Sequence, residues 1–126
     1  MVLSHDSALS DRIIAIAIDV HRQLGPGLLE SAYEECLCHD LKEAGIAYDR
    51  QRPLPIIYKT VKLDCGYRMD IVVEGELIIE IKAVERLMPI HEAQMLTYLR
   101  LSRCKVGLLM NFNSVSLKDG LRRFVL

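Results

Sequence analysis

Two stretches near the start of the chain place apolar residues at helical spacing. In residues 10 to 24, SDRIIAIAIDVHRQL, a stripe runs through Ile13, Ile16/Ala17, Val20 and Leu24. Ser10 suits the N-cap of that helix and Asp11 its first turn. The GPG at 25 to 27 ends it, with Gly25 as cap and Pro26 opening the next segment. A second helix is expected from about Leu28 to Glu43, with Leu29, Ala32/Tyr33, Cys36/Leu37 and Leu41 inward and Gly45 as its stop.

The period then shortens. Residues 47 to 63, AYDRQRPLPIIYKTVKL, read as one extended strand with an irregular start, at a sheet edge because of Pro53 and Pro55. YRMDIVV (67 to 73) and ELIIEIKA (76 to 83) flank Glu74-Gly75, a hairpin signal. Pro89 opens a helix reaching about Leu101, and KVGLLMNF (105 to 112) is a short apolar run typical of a central strand. The tail, LKDGLRRFVL, suits either a short helix or a last strand. The order α-α-β-β-β-α-β predicts one α/β (α+β) domain over residues 1–126, a mixed four-stranded sheet flanked by helices.

One strand breaks its own pattern. In ELIIEIKAV, Glu80 and Lys82 project side by side from a segment whose other residues are aliphatic. Charges leave water only when paired or holding a metal. The hairpin register decides what joins them. A two-residue turn pairs Val73 with Glu76 and sets Asp70 opposite Ile79, away from Glu80. A three-residue loop, Val73-Glu74-Gly75, pairs Val72 with Glu76 and sets Asp70 opposite Ile78, on the side of Glu80 and Lys82. The second register is favoured, because it also gathers Met69, Ile71, Ile79 and Ile81 on the opposite side. Two carboxylates and a lysine suit Mg²⁺ or Mn²⁺. They equally suit a structural salt bridge from Lys82 to Glu80 or Asp70, and the spacing alone leaves both open.

Composition narrows the partners. The formal net charge is −1, so a broad electrostatic grip on a phosphate backbone is excluded. Any nucleic-acid contact must be local, metal-assisted or pooled across an oligomer. No apolar run approaches ~18 residues and no secretory leader is evident, so no membrane association is expected. Cys36, Cys38, Cys65 and Cys104 form no C-x-x-C pair and read as reduced packing thiols of a cytoplasmic protein.

The order Asp70 in one strand, Glu80-x-Lys82 in the next, then a helix and a strand, resembles the PD-(D/E)XK nuclease superfamily. Within it, Gly27-x-x-Glu30-x-x-Tyr33 in LGPGLLESAY, YK at 58 to 59, GYRMD at 66 to 70, IIEIKAV at 78 to 84, QMLTYL at 94 to 99 and GLLMNF at 107 to 112 resemble the GxxExxY family. Met69 stands where the superfamily's name has proline. The resemblance covers roughly residues 10 to 125 and implies a restriction-endonuclease-like core. It implies that Asp70 and Glu80 bind Mg²⁺ or Mn²⁺, that Glu30 completes the metal site, and that Lys82 is the catalytic lysine with Gln94 assisting. Tyr98 lies one turn beyond Gln94, and Arg68 lies on the charged side of its strand; both are candidates for substrate contact. Arg68 could instead pair with Glu80. Tyr33 is expected to pack with its hydroxyl tied down, and His91 to be solvated. The implied activity is phosphodiester hydrolysis of DNA, or of RNA. The rival is a non-catalytic module that binds nucleic acid or an unidentified protein partner, or assembles as a homo-oligomer.

Overall fold

The computed structural model describes residues 5–126, with side chains from residue 8 onward. Helix α1 (His5–Leu24) and α2 (Glu30–Glu43) come first. Strand β1 (Tyr48–Pro53) and the short strands β2 (Ile56–Tyr58) and β3 (Val61–Leu63) come next, then β4 (Arg68–Val73) and β5 (Leu77–Lys82). Helix α3 (Pro89–Ser102), β6 (Val106–Asn111), a 3₁₀ turn at Leu117–Gly120 and β7 (Leu121–Val125) complete the chain. The main sheet has five strands in the order β1-β4-β5-β6-β7, one more than the pattern predicted, because the ambiguous tail forms an edge strand antiparallel to β6. Strands β5 and β6 are parallel and joined through α3.

The sheet separates two apolar layers. Ile13, Ala17, Tyr33, Leu37 and Leu41 from α1 and α2 bury one face with Ile71, Ile79, Ile81 and Leu108. Met95, Tyr98 and Leu99 from α3 cover the other, against Val72, Ile78 and Leu109. Strands buried on both faces read as continuous aliphatic runs, which is why 77 to 81 and 106 to 110 show little alternation.

Several expectations are corrected. Helix α1 begins five residues before Ser10, which lies fully buried within it and accepts a hydrogen bond from Arg123 Nε at 3.2 Å, so it is no N-cap. Helix α2 begins at Glu30, and Leu29, at its N-cap, is 77% exposed instead of inward. Residues 47 to 63 are not one strand. Leu54 and Pro55 break the segment, so β1 joins the sheet edge while β2 and β3 form a separate hairpin. Tyr33 does pack as expected: its hydroxyl donates to the Gly25 carbonyl at 2.6 Å and accepts from the Leu28 amide at 3.1 Å, with its ring stacked on Phe112. It thereby holds the GPG bend shut.

The β4–β5 register is a third possibility. Glu74 and Gly75 both adopt positive φ, and the Glu76 amide closes the turn on Val73. Glu76 is then bulged out, and the ladder runs Val73↔Leu77, Val72↔Ile78, Ile71↔Ile79. This differs by two residues from the favoured register, so the faces are unchanged and Asp70 still comes to Glu80. Met69 does not join Ile71 and Ile79; it packs with Val72 and Ile78. The β1–β4 ladder skips Gln51, whose φ is +54°, and alternation does not carry across that interruption.

Candidate active site

Beyond Ile71↔Ile79 the ladder between β4 and β5 stops, and side chains take over the backbone's hydrogen bonds. The Asp70 amide donates to Glu80 Oε2 at 2.7 Å. The Ile81 amide donates to Asp70 Oδ2 at 2.8 Å. Each carboxylate thus satisfies an amide of the opposite strand at the point where the strands part. Glu80 is 4% exposed. Burial, and then the charge of Asp70, push its carboxyl up to about 8. Burial raises Asp70 too, against the bond from the Ile81 amide and the charge of Lys82.

A second layer fixes Asp70 from the α2 side. Gln51 donates to Glu34 Oε1 at 2.7 Å and to Asp70 Oδ1 at 3.4 Å. Arg50 bonds Glu34 at 2.7 Å and Glu35 at 2.8 Å, a bridge that neutralises the nearly buried Glu34. The left-handed Gln51 turns its amide toward both carboxylates from an edge strand. Sequence reasoning missed Glu34 and Gln51. One signal was available for Glu34: it lies four residues after Glu30, on the same helix face.

On the α3 side, Lys82 Nζ donates to Gln94 Oε1 at 3.4 Å, so the expected lysine and glutamine do meet. Both line a cleft with Tyr98 and His91. Tyr98 is buried and its hydroxyl is held above the ordinary phenol range, by burial first and by the Glu80 charge second. His91 is engaged more than expected. Its Nδ1 accepts the Met88 amide at 2.9 Å and so supports the start of α3. Arg68 donates to the Gln51 carbonyl at 3.4 Å instead of pairing with Glu80.

Glu30 reaches the end of β5, where its Oε2 accepts the Ala83 amide at 3.3 Å. It borders a small depression shared with Asp70, Glu34 and Gln51. Among the described residues, no group of three or more His, Cys, Asp and Glu side chains is gathered to hold an ion. The two carboxylates nonetheless fit a hard cation. They are oxygen donors, hydrogen-bonded in place, and ionisation is opposed at Glu80 by burial and the charge of Asp70, and at Asp70 by burial and the charge of Glu34. A dication between them would reverse that penalty. Asn111, also missed, is buried at the end of β6. It bonds both the amide and the carbonyl of Val84, at 3.0 and 2.9 Å, anchoring the chain just past Lys82.

An open-ended antiparallel pair carrying Asp70 and Glu80-x-Lys82, continued through a helix into a parallel strand, defines a nuclease-type core. The model of the PD-(D/E)XK nuclease superfamily matches residues 7–124, and the chain belongs to that superfamily. No curated protein and no solved structure matches the chain.

Proposed function

We propose that this chain is a Mg²⁺- or Mn²⁺-dependent nuclease hydrolysing phosphodiester bonds in DNA, and less readily in RNA. The observation that carries the reading is the pair of interlocked carboxylates, Asp70 and Glu80, with Lys82 on the strand that bears Glu80. Bound there, the divalent ion would supply Lewis acidity toward a phosphoryl oxygen and acidify a water. The chain's own part is positional. Asp70 and Glu80 would hold the ion, each carboxylate being fixed by a backbone amide of the opposite strand. Gln51 and Glu34 stop Asp70 from turning away. Lys82, steadied by Gln94, orients the nucleophile or offsets charge developing on phosphate. Glu30 borders the site from α2 and is proposed as a third, outer ligand. Gly27-x-x-Glu30-x-x-Tyr33 supports placement in the GxxExxY family.

A second reading, a non-catalytic assembly module, draws on the β2–β3 hairpin, where Ile57, Tyr58, Val61 and Leu63 are all exposed. Metal titration and cleavage of single- and double-stranded DNA separate the two. Asp70→Ala should lose Mn²⁺ binding, whereas Lys82→Ala should keep Mn²⁺ and lose cleavage by about 100-fold or more. Wild-type protein that leaves a broad panel of nucleic acids intact with either metal would overturn the catalytic reading in favour of the module.

A further inference from the structure

The cleft that Lys82 and Gln94 share with α3 extends well past them. It encloses about 650 Å³ between α3 and the segment that runs from β2 to Tyr67, a size that suits a small organic group. Its chemistry changes along its length. The end nearest the carboxylates offers Lys82 and Gln94, and the rest is walled by Ile56, Ile90, Leu101 and two tyrosine rings. Tyr67 stands edge-on to Tyr98, with ring centroids 6.4 Å apart and planes at 70°. Tyr98 is buried, while Tyr67 is 47% exposed and so leaves part of its ring free.

From this arrangement we infer that the cleft is a nucleobase subsite, and that the substrate is a nucleic acid strand unpaired next to the scissile phosphate. The inference rests on the nuclease reading, and it names the substrate form. A phosphate would find Lys82 at one end and, beyond it, His91 and Thr97 set among mostly apolar and aromatic walls. A planar base finds carbon surface, a tyrosine face and, at one end, a donor and an amide. Lys82 lines the cleft, stands two residues from Glu80 on β5 and acts by its charge on both carboxylates, so a base lodged here would bring its own phosphate toward Asp70 and Glu80. The net charge of −1 leaves little affinity to come from backbone electrostatics, whereas stacking contributes with any base. Bases stacked inside a duplex cannot enter.

The test reads binding separately from cleavage. A fluorescent oligothymidylate and a blunt duplex of equal length are titrated in Ca²⁺ against wild type, Tyr67→Ala and Tyr67→Phe. Alkylation of Cys65, an exposed thiol on the cleft wall, is followed by peptide mapping with each nucleic acid. The single strand should bind more tightly than the duplex and slow Cys65 alkylation severalfold. Tyr67→Ala should weaken that binding about 5- to 100-fold while Tyr67→Phe stays near wild type. Equal binding of the duplex, unprotected Cys65 or an indifferent Tyr67→Ala would overturn the subsite. If wild type still cuts DNA with Mg²⁺ after such a result, the nuclease reading survives alone. If the strand binds through Tyr67 and nothing is cut, the subsite stands and the catalytic reading falls.

Discussion

Glu80→Gln separates the electrostatic cost of the site from its packing. Burial and the neighbouring Asp70 raise the Glu80 carboxyl from 4.5 to about 8. Between those values the folded chain keeps a proton that the unfolded chain has released. Stability is therefore complete at the acid end and falls as pH rises, levelling off once the folded group has ionised. One such proton is worth about 1.4 kcal/mol per pH unit, so the loss between about pH 6 and about pH 8 is about 2–3 kcal/mol. For a chain of this size that lowers the melting temperature by about 10 °C. Asp70 is raised as well, by burial first, and is present in both proteins. Glutamine has no proton to lose, and its carbonyl can still accept the Asp70 amide. Thermal melts in EDTA across that range should show wild type destabilising with pH relative to Glu80→Gln, with the two curves converging near pH 5. Added Mn²⁺ should restore wild type at about pH 8 and leave the variant little changed. A wild-type curve in EDTA that runs parallel to the variant's, or climbs above it as pH rises, would refute the reasoning.

Two further substitutions probe the supporting structure. Arg50→Ala strips the partner from the nearly buried Glu34, and urea denaturation should show a loss of about 1–3 kcal/mol, with weaker Mn²⁺ binding because Glu34, which anchors Gln51, is no longer held in place. Gly107→Ala sets a methyl against the side chain of the fully buried Met95, displacing α3 from the sheet. It should lower stability by about 1–3 kcal/mol by the same assay, and Gly107→Val should lower it further.

Much of the site could be read from residue order, because its three central residues lie on adjacent strands of one hairpin. Alternation puts Glu80 and Lys82 on one face of their strand, and a register differing from the favoured one by two residues still sets Asp70 beside Glu80. The bulge at Glu76 moved the pairing by two residues and left that result intact. Gln94 could be placed through resemblance, and the structure joins it to Lys82. Glu34, Gln51 and Asn111 could not. Their partners lie 16, 19 and 27 residues away along the chain, and no local period carries contacts of that separation. The left-handed Gln51 is equally silent, since glutamine has no preference for positive φ.

Local pattern was therefore enough to establish the helices, the central strands, the buried Tyr33 and the meeting of Asp70 with Glu80. Each follows from the periodicity of side chains along a single element or across one tight turn. Tertiary packing alone decided that the segment from 47 to 63 splits into an edge strand and a hairpin, that the tail closes the sheet, and that Met69 crosses to the α3 layer. It also decided that Glu34 and Gln51 brace Asp70 and that Tyr67 faces Tyr98 across a cleft. These outcomes depend on which distant surfaces meet and on how buried polar groups find partners there. That competition is settled by the whole core and not by any stretch of sequence.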